Sequence, residues 1–352
     1  MNLHPIKKEF FYKGRRLNMH KVTLIKGDGI GPEITDSVTE ILAAARVEIN
    51  WIPAQAGMGA FEKTGNPLPE ETVALIEKHK LALKGPLTTP VGSGFRSINV
   101  ALRQKFDLYS NIRPARTLPG VPTHFGSVDL VTFRENTQGM YIGQERWLDE
   151  DQNQAESIAV VSRYASERII RAAFEYAVKH GRKKVTLVHK ANILKFTTGL
   201  FLKVGQELAH EYPGIEFNDM IVDNTAMQMV MRPEIFDIIV TTNLFGDILS
   251  DLASGLVGGL GVTGSANMGD THAMFEAVHG SAPDIAGQGK ANPTALLLSA
   301  LMMLEHIGET EKAEKIRKAL HRTLLDKNVI TADLGGDGNT RLFTQALIRN
   351  MR

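Results

Sequence analysis

Along this chain, short apolar, β-rich runs take turns with longer segments of helical period. Val22 to Ile25, Val47 to Ile52, Leu108 to Ile112, Ser127 to Arg134, Ser157 to Arg163, Lys184 to Asn192 with charge at its carboxyl end, Ile215 to Val222 and Phe236 to Val240 read as strands. Apolar residues at 3–4 spacing predict helices from the loop after Ile25 to about Ala45 and over Leu68 to Lys80, Phe95 to Phe106, Tyr164 to His180 and Phe196 to Glu211. Further helices are predicted from Asn243 past Asp251 and over Pro293 to His306, Thr310 to Lys327 and Asn339 to Arg349. Pro69 with Glu70 starts one of these, Gly181 stops another, and Pro293 opens a third. Residues 255–270 and 275–293 are rich in glycine and small residues and read as loops. The polar stretch around 142–163 reads as a strand–loop–strand arm of the kind that serves dimers. No internal repeat or low-complexity segment appears.

Composition narrows the field. At 352 residues the chain is long enough for two domains. It is 43% apolar and 22% charged, typical of a globular protein in water. A net charge of +1 gives no global field for nucleic acid or a membrane surface. No run of 18 apolar residues is present, so no transmembrane helix is expected. The lack of cysteine excludes disulfides, thiolate metal sites and a cysteine nucleophile, and it is compatible with a reducing compartment. Residues 1–19 are basic, with Glu9 alone acidic, and lack the features of a signal or transit peptide. They read as a loosely docked N-terminal extension.

The candidate chemistry gathers at strand ends. Asp247 and Asp251 stand four apart on the helix after the Phe236 to Val240 strand, so they share a face. Two carboxylates about 5–6 Å apart repel by about 3 kcal/mol at an effective dielectric near 20. Either this is a solvated acidic face, or a hard divalent cation, Mg²⁺ or Mn²⁺, turns repulsion into coordination. Arg134, Lys190 and Asp223 also fall at or just past predicted strand ends, where open α/β sheets bind ligands. Arg96, Asn99 and Arg103 follow 3–4 spacing on one helix, with Ser97 at its first turn, and Arg113 follows a short strand. These are ordinary surface arginines or a bidentate clamp for carboxylates. Tyr141 is a core residue or a proton donor, and Lys190 is a surface lysine or a proton carrier.

Gly27, Gly29 and Gly31 invite a dinucleotide fingerprint, but Pro32 occupies the place of the third glycine of G-x-G-x-x-G. A Rossmann site is rejected there, although the loop still looks built for close backbone approach to a ligand. The loop from Phe275 to Pro293 is either a plain surface loop or the wrapping of an adenine-bearing cofactor. In the second case His279 would stack, Asp284 would accept from ribose hydroxyls and Asn292 would read the base edge.

Taken together, Gly27-Asp-Gly-Ile-Gly-Pro-Glu33, Ser97-x-Asn99-x-x-x-Arg103, Arg113-Pro114, Arg134-Glu-Asn136, Tyr141, Lys190, Asn243 to Asp251, His279-Gly280 and Asn292-Pro293 resemble the isocitrate and 3-isopropylmalate dehydrogenase family from about Lys21 to Met351. The resemblance implies an α/β, two-domain fold with a non-Rossmann cofactor site. A large cofactor-binding domain is expected over 20–108 and 258–352, and a small domain with metal ligands and the dimer arm over 109–257. It implies at least a homodimer with active sites shared between subunits, and no nucleic-acid or membrane partner.

Carried over by residue, the resemblance makes Arg103, Arg113 and Arg134 the clamp on a 2-hydroxy tricarboxylate. It makes Asp247 and Asp251, with Asp223 from a second subunit, the Mg²⁺ or Mn²⁺ ligands. Lys190, also from the second subunit, takes the proton of the 2-hydroxyl, and Tyr141 protonates the product after CO₂ leaves. Ser97 and Asn99 stand where isocitrate enzymes contact the γ-carboxylate and isopropylmalate enzymes are apolar. Thr88, Asn192, His279, Gly280, Asp284, Ile285, Ala291 and Asn292 fall at the cofactor site. Relatives specific for NADP carry lysine and tyrosine at the positions of Asp284 and Ile285, so NAD is expected. The expected reaction is the NAD-dependent oxidative decarboxylation of isocitrate in the cytoplasm, or the mitochondrial matrix if the source is eukaryotic. The alternatives are homoisocitrate or 3-isopropylmalate oxidation and a non-catalytic regulatory subunit.

Overall fold

Helix boundaries in this chain follow its local signals. In the computed structural model, which describes residues 19–89 and 97–352, Pro69 stands before the helix Glu70–His79. The Ser162 hydroxyl accepts from the Ala165 backbone N–H at the start of Arg163–His180, and Gly181 ends that helix in the left-handed region. Asn339 caps the last helix by accepting from Leu342 N–H. The expected N-terminal extension, apart from Met19, and Arg96 with the start of its helix lie outside the described residues.

In chain order the elements are β1 (His20–Ile25), α1 (Gly31–Ala44), β2 (Ile49–Ala54), α2 (Met58–Thr64), α3 (Glu70–His79), β3 (Leu81–Lys84), α4 (Ile98–Lys105), β4 (Ser110–Arg116), β5 (Asp129–Glu135), β6 (Gly139–Trp147) and β7 (Ala155–Val160). There follow α5 (Arg163–His180), β8 (Lys184–His189), α6 (Thr197–Ala209), β9 (Glu216–Ile221), α7 (Val222–Met231), β10 (Ile238–Thr241), α8 (Asn243–Leu256), β11 (Gly264–Met268), β12 (Ala273–Ala277), α9 (Thr294–His306), α10 (Thr310–Thr323) and α11 (Thr340–Asn350).

Ten strands form one sheet in the order β2-β1-β3-β12-β11-β4-β5-β10-β8-β9. β2, β1, β3 and β12 run parallel, as do β5, β10, β8 and β9 at the other end. Between the two parallel runs, β11 is antiparallel to both β12 and β4, and β4 is antiparallel to β5. The seam between the two expected domains would fall between β11 and β4, where Ala266 lies opposite Ile112. Parallel strands buried on both faces need mostly apolar sequence, which Ile238-Ile-Val240 supplies outright and Val185-Thr-Leu-Val188 supplies around the buried Thr186. α5 and α6 pack on that half, with Phe174, Ile170 and Phe201 against Val131, Val185 and Val240. β6 and β7 pair as a separate two-stranded ribbon, the arm expected from sequence.

Four expectations need correction. Arg113 lies inside β4 rather than after a strand, because pairing with β5 carries the strand on to Arg116. Asp223 lies in the first turn of α7, a helix the strand pattern did not announce. The glycine-rich stretch at 255–270 contains β11, a strand paired on both sides. A Cβ at Gly264 would lie 2.7 Å from the Ser299 backbone nitrogen, so small residues there permit α9 to pack on the sheet. The expected loop at 275–293 begins only after Ala277, since Phe275, Glu276 and Ala277 belong to β12.

Candidate active site

The carboxyl ends of β5, β10, β8 and β9 line up. Arg134 is in register with Thr241, Thr241 with Val188, and His189 with Ile221. This is the sheet edge the four strand-end residues were expected to share. Their side chains form two separate clusters there.

The first cluster is built on β4, β5, β6 and α8. Arg134 is 1% exposed, and its Nη1 donates to Asp247 Oδ1. Its Nε and Nη2 donate to Asn243 Oδ1 at 3.0 and 2.8 Å. Asn243 is the first residue of α8, so the arginine sits over a helix start and Asp247 reaches it from one turn on. A Cβ at Gly246 would lie 2.6 Å from Arg134 Cγ, which makes glycine necessary where α8 crosses the arginine. Arg113 donates from Nη1 to Ser250 Oγ at 2.7 Å and to Asp251 Oδ1 at 3.0 Å, and from Nε to Asn111 Oδ1 at 2.7 Å. The Tyr141 hydroxyl, on β6, donates to Asp247 Oδ2, and its ring lies 5.0 Å from the Arg134 guanidinium carbon.

Arg103 enters from α4. Its Nη2 donates to Glu276 Oε1 at 3.0 Å, while its Nε is buried with no hydrogen-bond partner. Glu276 also meets Lys84 Nζ at 2.6 Å and accepts from Asn267 Nδ2 at 2.8 Å. Behind it, Asn267 Oδ1 accepts from Asn111 and Asn136, so a buried polar lattice ties Arg103 to Arg113. Burial would push the Glu276 carboxyl up, but Lys84 and Arg103 hold it well below the usual carboxylate range. Asn99 lies one turn before Arg103, with Oδ1 buried and unpartnered, and Ser97 is exposed at the start of α4.

Electrostatics show how closely the arginines converge. Burial first, then Arg103 and Arg113, push Arg134 down to about 10, and it remains a cation at neutral pH. Burial and Arg103 lower Arg113 as well, against Asp247 and Asp251. Burial would raise Asp247, yet Arg134, Tyr141 and Arg113 bring it below the ordinary value. Burial raises Asp251 in spite of Arg113. Tyr141 is raised by burial and by its bond to Asp247, so its hydroxyl keeps its proton at neutral pH. Crowded cations of this kind gain from a polyanionic ligand.

The second cluster is Lys190 with Asp223, Nζ to Oδ1 at 2.6 Å, at the ends of β8 and β9. That bond lowers the Asp223 carboxyl. With strands about 4.8 Å apart, β8 and β9 stand two and three strands from β5, on the order of 10–15 Å. Among the described residues no three histidine, aspartate or glutamate side chains gather closely enough to hold a metal ion within one chain. Asn192 is exposed in the loop after Lys190, beside Ile193, Leu194 and Phe196, the last 91% exposed.

The expected cofactor residues lie on neighbouring loops. Thr88, just past β3, shares a 2.7 Å hydroxyl contact with Ser281. His279 Nδ1 contacts Gly280 O at 2.9 Å, its Nε2 is buried with no partner, and burial lowers its pKa. Asp284 and Ile285 sit in a single 3-10 turn, with Asp284 exposed. Ala291 is buried. Asn292 is buried too; its Nδ2 donates to Asp333 at 2.9 Å and its Oδ1 accepts from Thr294 N–H, so most of its amide is already engaged. Lys84 and Glu276 lie opposite each other on β3 and β12, the strands that lead into these loops, so they adjoin the arginine cluster. Sequence reasoning missed Glu276, Lys84 and Asn267; the signal available was a charged pair inside apolar runs, at Lys84 and Glu276.

A family model described as isocitrate/isopropylmalate dehydrogenase matches residues 21–350. The chain belongs to this family. A solved isocitrate dehydrogenase from Methylococcus capsulatus superposes with a TM-score of 0.92 at 56% identity, covering 95% of this chain and all of that one. An isocitrate/homoisocitrate dehydrogenase of Thermus thermophilus is 49% identical over 95% of this chain and 99% of its own length. Catalytic subunit 5 of the mitochondrial NAD isocitrate dehydrogenase of Arabidopsis thaliana is 48% identical over 92% of this chain and 87% of that protein. A Dictyostelium discoideum protein, named as a regulatory subunit of mitochondrial NAD isocitrate dehydrogenase, is 45% identical over 97% of this chain and 94% of its own. The chain is thus a dehydrogenase of the isocitrate/isopropylmalate family with the family's α/β fold.

Proposed function

We propose that this enzyme oxidises isocitrate to 2-oxoglutarate and CO₂, with NAD as hydride acceptor and Mg²⁺ or Mn²⁺ as the metal. The observation that carries the reading is the convergence of Arg113 and Arg134 on Asp247, Asp251 and the protonated hydroxyl of Tyr141, with Arg103 tied to them through Glu276 and the buried asparagines. Three guanidinium groups match the carboxylates of a tricarboxylate, and the unpartnered Arg103 Nε leaves a donor for one of them. Asp247 and Asp251 fit a hard divalent cation: they offer oxygen atoms, and their side chains are 38% and 52% exposed while their arginine partners are buried. The buried, unpartnered His279 Nε2 fits a cofactor with polar groups above that loop.

A bound divalent cation would polarise the 2-oxygen, and the nicotinamide would accept the hydride from C2. The arginines hold the substrate carboxylates and fix C2. Lys190 takes the proton of the 2-hydroxyl, and Tyr141 delivers its own proton to the carbon that CO₂ leaves. Lys190 and Asp223 pair with each other, and among the described residues no three histidine, aspartate or glutamate side chains gather around Asp247 within one chain, which supports a second subunit supplying them. The apolar surface beside them, Phe196, Met227, Val230 and Met231, is exposed in the single chain and suits such a partner. We place the enzyme in the cytoplasm, or the mitochondrial matrix for a eukaryotic source; the Arabidopsis and Dictyostelium relatives are mitochondrial.

Initial rates with Mg²⁺ test this, crossing isocitrate, homoisocitrate and 3-isopropylmalate with NAD and NADP. A kcat/KM preference for isocitrate with NAD is expected. The Thermus relative's name favours homoisocitrate as the second reading, and a pocket discriminates one methylene by only about 1–3 kcal/mol. A preference for homoisocitrate would keep the clamp and reassign Ser97 and Asn99. No turnover with any pair would favour a regulatory role, the one the Dictyostelium relative's name gives it. Retention of Tyr141, Lys190, Asp223, Asp247 and Asp251 argues against that outcome.

A further inference from the structure

The loop Gly27-Asp-Gly-Ile-Gly-Pro-Glu33 supplies no side chain to the reaction proposed above, and protein backbone fills the room beside its first two glycines. Gly27 and Gly29 have φ of +79° and +56°, and a Cβ on either would lie 2.1 Å from Pro86 O or 1.9 Å from Ser281 O. The space a side chain would need is filled by protein backbone. The same contacts are hydrogen-bonded: Asp28 N–H donates to Pro86 O at 2.8 Å and Ile30 N–H to Ser281 O at 2.9 Å.

The two carboxylates of this loop reach further. Asp28 accepts from the backbone N–H groups of Met58, Gly59 and Thr88 at 2.9, 3.0 and 2.8 Å. Glu33 accepts from Gly289 and Ala291 N–H at 3.2 and 2.9 Å and from the Thr340 hydroxyl at 3.3 Å. One short segment therefore holds the chain at 85–88, at 281 and at 289–291. Those three places carry or flank every cofactor-loop residue proposed above except Asn192. A carboxylate bonded to several N–H groups fixes them more firmly than a neutral acceptor does.

We infer that Asp28 and Glu33 are positioning residues for the cofactor: they touch no reacting atom, but they set the spacing between the Thr88 loop and the 279–292 loop. The inference rests on the proposal that these loops bind NAD. Its consequence is selective. Neither carboxylate touches Arg103, Arg113, Arg134, Asp247 or Asp251, so their loss should weaken cofactor binding without loosening the substrate clamp.

The test is NADH binding by fluorescence titration, with KM for NAD and for isocitrate alongside, in Glu33→Gln, Glu33→Ala and Asp28→Asn. Glu33→Ala is expected to weaken NADH and raise the NAD KM about 10-fold, a loss of about 1.4 kcal/mol. Isocitrate KM and kcat at saturating NAD should stay within about 2-fold. Glu33→Gln retains an acceptor for Ala291 N–H and should recover part of the loss. If Glu33→Ala fails to fold, Glu33→Gln and Asp28→Asn carry the same split. Unchanged NADH affinity, or NAD and isocitrate KM rising together, would overturn the positioning role while leaving the NAD reading intact. Wild-type protein that binds no NADH would overturn the NAD reading and this inference with it.

Discussion

At the scale of single residues, the proposed clamp leans on a carboxylate that sequence reasoning passed over. Arg103 was visible as one of three arginines at helical or strand-end spacing, but Glu276 was hidden in a run read as loop, because its strand is made by pairing with β3 and β11. Glu276→Gln would leave the Lys84 ammonium, 2% exposed, facing an amide. Losing one partner of a buried pair costs about 3–5 kcal/mol. The pH dependence has a definite sign. Because Glu276 is held low in the folded state, its contribution is present above the unfolded carboxyl value, about 4.3, and fades as pH falls toward the folded value. Urea titrations at pH 7 and pH 3.5 should therefore show a large gap between wild type and Glu276→Gln that narrows in acid. A gap of equal size at both would mean that the charge is not what stabilises the lattice. On the cofactor side, the exposed Asp284 would repel a ribose 2′-phosphate. Asp284→Lys with Ile285→Tyr should shift the kcat/KM ratio toward NADP by at least about 10-fold. No shift in the paired NAD and NADP assays would remove this turn from cofactor choice.

At the scale of elements, legibility tracked local signals. α3, α5, α9 and α11 have caps or prolines where the sequence shows them, and β1, β8 and β10 are apolar runs that need no partner to be recognised. β11 was illegible because Gly-Ser-Ala-Asn-Met has little intrinsic strand preference; two antiparallel neighbours impose it. α7 was illegible because part of its apolar surface faces outward: Met227 and Val230 are exposed at i and i+3, while Met229 is buried. An apolar stripe on the outer face of a helix that also carries Asp223 is what a shared-site dimer requires. The β6–β7 ribbon repeats the pattern with exposed Trp147, Ile158 and Val160, and a lone two-stranded ribbon is marginal in water. Met227→Glu with Val230→Glu should yield folded monomers by sedimentation velocity, with turnover lost although no proposed catalytic side chain has changed. An active monomer would refute the sharing of sites.

At the scale of the whole molecule, the sheet favours the proposal that each site is built from two chains. Tyr141, Asp247 and Asp251 stand over β4 and β5, while Lys190 and Asp223 stand at the far end beyond β10. The order of parallel strands is fixed, so the two clusters stand two to three strand spacings apart, about 10–15 Å. A two-fold axis would close it, by bringing the far end of one sheet to the near end of another, and each site would then take Tyr141 from one protomer and Lys190 from its partner. This arrangement makes a prediction that no single-chain site can satisfy. Tyr141→Phe and Lys190→Met should each be nearly inactive, because each removes a proton-transfer group from both sites of a dimer. Co-expressed in equal amounts with random pairing, about half the dimers are mixed, and each mixed dimer carries one site with both residues intact. Activity should then recover to about a quarter of wild type and should rise with the fraction of mixed dimers isolated by orthogonal tags. If the mixture stays as inactive as its parents while the mixed dimers are demonstrably present, the two residues act within one chain, and the separation of the clusters would have to be closed by movement inside one protomer.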